Sequence, residues 1–332
     1  MRIFQYISIL VFFLSIIFII YQNSPKYQII KGEIYGTYYN IKINTPKKNK
    51  NIADDIKSKL QQIDSQMSVF NDESDISKIN NAPANKNILL STELAEVLKA
   101  SHIVWKQSNG WFDPTIGQLI NLWGFGNSKT KIPTTSEIKK VLKYSGFDKL
   151  KFINDYKQIL KTNKNTQINL SAIAKGYAVD KIAELLDDKG YLNYIIDIGG
   201  EVKAKGYRSD NNEAWNVAIS KPQQGSNENI TVLSLSNMAV ATSGNYRNYY
   251  QKNGKTYAHT ISPKNGYPTE NKILSVTVFH NSCMYADAYA TAINAMGLDK
   301  GIEFASKNNI KAIIYDNNMQ AIYTKNARTI ME

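Results

Sequence analysis

From Tyr194 to Thr242, strand-like segments follow one another with no helix between them, and this order limits the available folds more than any other feature. Tyr194-Ile-Ile-Asp-Ile runs into the pair Gly199-Gly200, and further strands are expected at 215–220, 230–235 and 238–242. Strands joined this directly pair antiparallel, because a parallel crossover needs about a dozen residues or more. Elsewhere the apolar period is helical. Ile52, Ile56, Leu60, Ile63 and Met67 recur at spacings of three and four, a second helix is predicted over 92–107 with Gly110 as its stop, and a third lies between Pro133 and Lys143. A strand pair or one bent strand over 28–44 breaks near Gly36. Strands near 150–152 and 158–162, helices at 286–296 and 300–307, and strands at 311–315 and 320–323 complete an α+β chain with a mixed, largely antiparallel sheet. With no repeat, low-complexity tract or lengthy linker inside 32–332, this region is one compact unit, either a single body or two lobes with a ligand cleft between them.

The chain has 332 residues, 43% of them hydrophobic, enough to bury a sizeable core. Its formal net charge is +12, but the lysines lie scattered in polar segments such as 47–50 and 161–164 rather than beside aromatics. That pattern reads as solvated surface, and nucleic acid is not an expected partner, although a basic surface favours anionic nucleotides and membrane headgroups. Ile3 to Tyr21 is an almost unbroken apolar run of 19 residues. As a helix it would span about 28 Å, the thickness of a hydrocarbon core. Residues 1–22 are therefore a membrane anchor or signal segment, 23–31 a tether, and 32–332 the functional domain. The following Gln22-Asn-Ser-Pro-Lys-Tyr lacks the small residues of a cleavage site, which favours an uncleaved anchor, and Arg2 keeps the amino end inside. Cys283 is the only cysteine, so no intrachain disulfide forms.

Asn169-Leu-Ser-Ala-Ile-Ala-Lys-Gly-Tyr-Ala-Val-Asp180 sets a hydroxyl, a lysine and small residues at the mouth of a helix whose apolar series is Ile173, Val179, Ile182, Ala183 and Leu186. Ser171 can cap the first amides, and the positive helix end would face an anion; a capped core helix with a solvated lysine explains the stretch equally well. Asp287 and Thr291, four apart, share a helix face and offer hard oxygens suited to magnesium, or else an ordinary cap. Among three histidines, His259 precedes a Pro-Lys-Asn-Gly turn and is the best base, with a structural role as the alternative; His102 sits in a helix pattern and reads as structural. Arg247 could steady a phosphate or fix its loop. Trp111, Phe112 and Trp123 could stack on a ring or simply pack the core. Gly124-Phe-Gly126 and Gly199-Gly200 do not complete a dinucleotide fingerprint, and no P-loop, G-x-S-x-G or H-E-x-x-H is present.

Four further stretches occur in order with the one at 169–180: Gly-Trp-Phe-Asp-Pro-Thr-Ile-Gly-Gln-Leu-Ile-Asn-Leu-Trp-Gly-Phe-Gly (110–126), Ala-Thr-Ser-Gly-Asn-Tyr-Arg-Asn-Tyr-Tyr (241–250), His-Thr-Ile-Ser-Pro-Lys-Asn-Gly (259–266) and Ala-Asp-Ala-Tyr-Ala-Thr (286–291). Together they resemble the ApbE family of membrane-attached flavin transferases, from about Gly32 to beyond Gly297. The resemblance implies magnesium-dependent transfer of FMN from FAD to a threonine of an acceptor protein, through a phosphoester bond and with release of AMP; water in place of the threonine would give FAD pyrophosphatase activity, and a tethered FAD-binding protein without chemistry is the other alternative. It places Tyr35, Phe70, Trp111, Phe112, Asp113, Asn169, Lys175 and Ile261 at the nucleotide. It makes His259 and Asp287 catalytic, and gives the metal Asp287, Thr291 and the backbone carbonyls of Ala172 and Ala290. Asn169 departs from a frequent aspartate and Tyr35 from a frequent methionine. Family members are often attached through an N-terminal cysteine, which is missing here, so the apolar helix would take its place, at a bacterial inner membrane with the catalytic domain facing the periplasm or cell exterior.

Overall fold

The structure is a computed structural model and describes residues 26–46, 49–126, 132–209, 211–222, 229–244, 249–252, 255–269 and 272–330. The apolar run at 3–21, Arg247 and the middle of the 241–250 stretch lie outside the described residues. In chain order the elements begin with β1 (Tyr27–Ile34) and β2 (Thr37–Asn44), then α1 (Ile52–Met67), α2 (Asp75–Asn81), β3 (Ile88–Leu89) and α3 (Thr92–Gln107). Next come α4 (Gly117–Leu122), α5 (Thr135–Leu142), β4 (Leu150–Ile153), β5 (Gln158–Lys161), α6 (Ala174–Asp188), β6 (Tyr194–Ile198) and β7 (Glu201–Lys205). The remainder is β8 (Trp215–Ser220), β9 (Asn229–Leu235), β10 (Met238–Gly244), β11 (Tyr249–Lys252), β12 (Lys255–Ala258), β13 (Ile273–His280), α7 (Cys283–Met296), α8 (Leu298–Lys307), β14 (Lys311–Asp316) and β15 (Ala321–Tyr323).

The expected α+β class holds: eight strands in the order β1-β2-β6-β7-β10-β13-β14-β15 form one antiparallel sheet. Residues 27–31, which the sequence reading counts as tether, are the first part of β1 and pair with 40–44 of β2. Alternation along the strands splits the interior in two. Ala241, Val276, Val278, Ala312 and Ile314 join the main core with the helices, whereas Val240, Phe279, Ile313 and Tyr315 face a second cluster built on Trp215, Ile219, Leu233 and Leu235 of β8 and β9. A third cluster gathers Leu119, Trp123, Ile138 and Ile261.

Helix α6 is held on the sheet by charge as well as by packing. The period of two points Glu201, Lys203 and Lys205 of β7 to one face, where they pair with Lys175, Asp180 and Asp187 of α6. Helix α7 then lies across the start of α6, and Gly176 permits the approach: a Cβ there would sit 2.3 Å from the Cys283 carbonyl oxygen and 2.9 Å from Asp287 Cβ. Each helix caps the other. Asp180 Oδ1 accepts from Cys283 N at 3.0 Å and Oδ2 from Met284 N at 3.0 Å, while Asp287 Oδ2 accepts from Gly176 N at 3.1 Å.

Candidate functional site

This crossing corrects the local reading of residues 169–180. Helix α6 begins at Ala174, three residues after Ser171, and its N-cap Ile173 gives no side-chain hydrogen bond. Asn169 Oδ1 instead closes a turn by accepting from Ser171 N at 2.9 Å. In the first turn of α6 the Gly176 amide is served by Asp287, from 111 residues further along the chain. Capping and metal ligation, posed as alternatives for Asp287, are thus compatible, because the cap uses Oδ2 alone.

Four junctions bind the sequence stretches into a ring. Asp287 reaches Gly176, joining 286–291 to 169–180. Asn169 N donates to Pro114 O at 2.7 Å, and Ile116 bridges Gln167 in parallel, joining 169–180 to 110–126. Lys264 Nζ donates to Asn109 O at 2.5 Å and lies 6.0 Å from the Trp111 ring, tying 110–126 to 259–266. Asn294 Nδ2 donates to Thr260 Oγ1 at 3.2 Å and to Ser243 Oγ at 3.2 Å, returning to α7 and touching β10. Since Asp287, Thr291 and Asn294 fall at i, i+4 and i+7, one face of α7 carries the carboxylate, the hydroxyl and the amide that holds the segment next to His259. The stretch from residue 287 to 294 covers about 10 Å of helix axis.

Inside this ring the electrostatics centre on a group the sequence reading passed over. Glu201, the first residue of β7, is 3% exposed, and its Oε1 stands 2.5 Å from Lys175 Nζ. Gly199 and Gly200, with φ of 63° and 102°, make the two-residue turn that delivers it. Burial, only partly offset by Lys175 and added to by Asp287, pushes the Glu201 carboxyl up to about 7. Burial likewise raises Asp287, against the opposing pull of Lys175 and the Gly176 amide. For Lys175, burial alone would lower the pKa, but Glu201 and Asp287 together outweigh it and raise it. Two buried carboxyls thus share one lysine. A sequence signal existed in the acid that opens a strand directly after a Gly-Gly turn; what it faces could not be read.

The other expected site residues divide. Asp113 is buried and its Oδ1 accepts from Thr115 N at 2.8 Å and Thr115 Oγ1 at 2.6 Å; burial raises its pKa against these hydrogen bonds. Trp111 is half-buried, with Lys300 Nζ 5.3 Å from its ring. The side chain of Phe112 packs in the main core and that of Ile261 in the third cluster. Trp123 is also core, its Nε1 donating to Gly266 O at 2.7 Å. Tyr35 stands outside the ring at the β1–β2 corner with φ of 54°, its hydroxyl donating to Leu60 O at 2.9 Å. Phe70 is 66% exposed beside a cavity of about 130 Å³ lined by Val69, Asp72, Asn80, Asn121 and Asn169. Ala290 is fully buried, while Ala172 and Thr291 are half-buried. His259 is half-buried with its ring edge-on to Phe125, centroids 6.4 Å apart. His102 stacks on Phe147 and bonds the Tyr156 hydroxyl.

Asp287 and Thr291, four residues apart on α7, offer hard oxygens with a single carboxylate. Such oxygens suit magnesium, which keeps several waters and leans on substrate phosphates. Among the described residues no group of three or more His, Cys, Asp or Glu is arranged around a metal position.

Residues 35–314 match the ApbE family. The chain is 34% identical over 316 residues to the FAD:protein FMN transferase of Haemophilus influenzae, covering 92% of this chain and 91% of the relative. With that of Vibrio cholerae the identity is 34% over 298 residues, 88% of each. Among solved structures, the flavin transferase ApbE from Vibrio cholerae superposes with a TM-score of 0.85 at 30% identity, over 92% of this chain and all of that one. The apo form of the Pseudomonas stutzeri flavinyl transferase ApbE gives 0.83 at 29% identity, over 92% and 98%.

Proposed function

The chain belongs to the ApbE family, and from that premise and the ring of contacts around α6 and α7 we propose that it transfers FMN from FAD to an acceptor protein. The observation that carries the reading is that α7 links, along one face, Asp287, bonded to the helix that bears Lys175, to Asn294, bonded to Thr260 next to His259. We further propose a threonine as the acceptor, with its hydroxyl oxygen attacking the FMN phosphorus. The new bond is threonine O–P; the bond broken is the pyrophosphate P–O to AMP, which leaves with the electron pair. His259 takes the hydroxyl proton, Lys175 sits against the phosphate charge, and Asn169 and Asp113 orient the nucleotide. Asp287, Thr291 and the carbonyls of Ala172 and Ala290 would hold magnesium, which when bound draws charge from the pyrophosphate.

In the test, the protein is incubated with FAD and magnesium, with and without a threonine-bearing acceptor, and FAD, FMN, AMP and acceptor mass are resolved. An acceptor gaining FMN, with AMP released, is expected; FMN and AMP formed without an acceptor adduct would make it a pyrophosphatase, and unchanged FAD a binding protein. His259→Ala should slow transfer by about 10²- to 10⁴-fold near neutral pH while FAD affinity, followed by flavin fluorescence, moves little. We also propose that residues 3–21 anchor the chain in a bacterial inner membrane with the catalytic domain outside. Fractionation showing a soluble mature chain that begins beyond residue 21 would overturn that.

A further inference from the structure

We propose that Glu201 is a positioning residue whose task is to hold Lys175 away from Asp287, keeping the Asp287 carboxylate open to a cation. This rests on the reading of Asp287 as a magnesium ligand. Lys175 is the second residue of α6 and Gly176 the third, and Asp287 is bonded to the Gly176 amide. The lysine therefore emerges beside a carboxylate that would pair with it readily. Its flexible four-carbon stem offers no geometric defence, and the ammonium does feel the Asp287 charge. What it actually meets is Glu201, 2.5 Å away on the sheet side. An ammonium seated on Asp287 would satisfy the same charge that a divalent cation must find there.

The rest of Glu201 fits this role better than a stabilising one. The side chain is 3% exposed, and its Oε2 is buried with no hydrogen-bond partner among the described residues. A buried acid kept for stability alone would be expected to engage both oxygens, since an unsatisfied one opposes folding. The neighbouring acid Asp180 does so, accepting from Lys203 Nζ and Cys283 N on Oδ1 and from Ser282 Oγ and Met284 N on Oδ2.

The test titrates the protein with Mn²⁺ as a magnesium substitute, alone and with FAD present, and reads the free ion by its EPR signal. Glu201→Ala should weaken Mn²⁺ binding by about tenfold or more, because the released lysine competes for Asp287. Adding Lys175→Met to Glu201→Ala should restore Mn²⁺ affinity to within about threefold of the parent, since the competitor is gone, although flavin transfer stays lost. A merely structural Glu201 would not be rescued by removing a second residue, so equal weakness in the single and double variants overturns the proposal. Parental affinity in Glu201→Ala overturns it as well. If instead Asp287→Ala binds Mn²⁺ like the parent, the magnesium reading fails and this inference falls with it. Where Glu201→Ala does not fold, as judged by circular dichroism, Glu201→Gln keeps the volume and the same comparisons decide.

Discussion

Two lysines, Lys161 and Lys175, are drawn into the interior 14 residues apart, and their surroundings could hardly differ more. At the end of β5, Lys161 is 1% exposed and donates to three carbonyls, Asn80 O at 2.6 Å, Thr166 O at 3.0 Å and Lys164 O at 3.1 Å. Burial pushes its pKa down to about 8. An ammonium has three hydrogens, and here all three are used. It is a clasp, fastening the loop that leads to Asn169, with Asn80 in turn pairing both the N–H and the C=O of Ile168. Lys175 keeps 31% of its side chain exposed, has Glu201 as its ion-pair partner among the described residues, and its pKa is raised. Saturation with neutral acceptors makes a lysine structural; a carboxylate partner and spare donors leave it able to engage a ligand.

Removing each lysine in turn should break the comparison if it is wrong. Lys175→Met combined with Glu201→Gln removes both members of the ion pair and leaves Asp287 its Gly176 amide, so flavin transfer should fall by about 10²- to 10³-fold while the melting temperature changes little. Lys161→Met should do the reverse, costing about 3 kcal/mol in denaturant unfolding as three carbonyls lose their donor, with kcat of the folded enzyme nearly unchanged. Loss of activity in proportion to folded protein in both cases would erase the distinction.

A pH series sharpens it. In the unfolded chain Glu201 titrates near 4.5 and in the folded chain near 7, so between these values the folded state holds a proton that the unfolded state has released. Its contribution is therefore full below pH 4.5 and is lost as pH rises through 7. In EDTA, unfolding free energy should drop by on the order of 3 kcal/mol across that window relative to Glu201→Gln. A parallel pH dependence of the two proteins would show that Glu201 is not the buried acid described. The smallest effect separates the two duties of Asp287. Losing the α6 cap in Asp287→Ala should cost about 1 kcal/mol, whereas Asp287→Asn still accepts from Gly176 N and should recover most of it. Neither variant should respond to magnesium in calorimetry with FAD; a magnesium response in Asp287→Asn would make the residue a cap and nothing more.

Much of the fold is legible as period and punctuation. The helices over 52–67 and 92–107 and the strand at 194–198 announce themselves because one face of each meets a core and repeats accordingly. The short α2 and α4 and the strand β13 do not: the helices have two turns or fewer, and β13 is buried on both faces, which removes the alternation. Lys161 illustrates a different failure. In a lysine-rich polar segment it reads as solvated surface, and only the convergence of three carbonyls, one from α2 and two from the loop after β5, makes its burial tolerable.

The sequence by itself determined the family, the α+β class and most of the ring, because those depend on residue types held at set spacings along the chain. It could name Lys175 and Asp287 but could not say how they meet. Tertiary structure decided that Asp287 caps the helix bearing Lys175, that Phe112 and Ile261 turn inward, and that Glu201 pairs with Lys175. The reason is physical: a charge is defined by what lies within a few ångströms of it in the folded state, and those neighbours arrive from α6, β7 and α7, whose positions along the chain carry no record of their meeting.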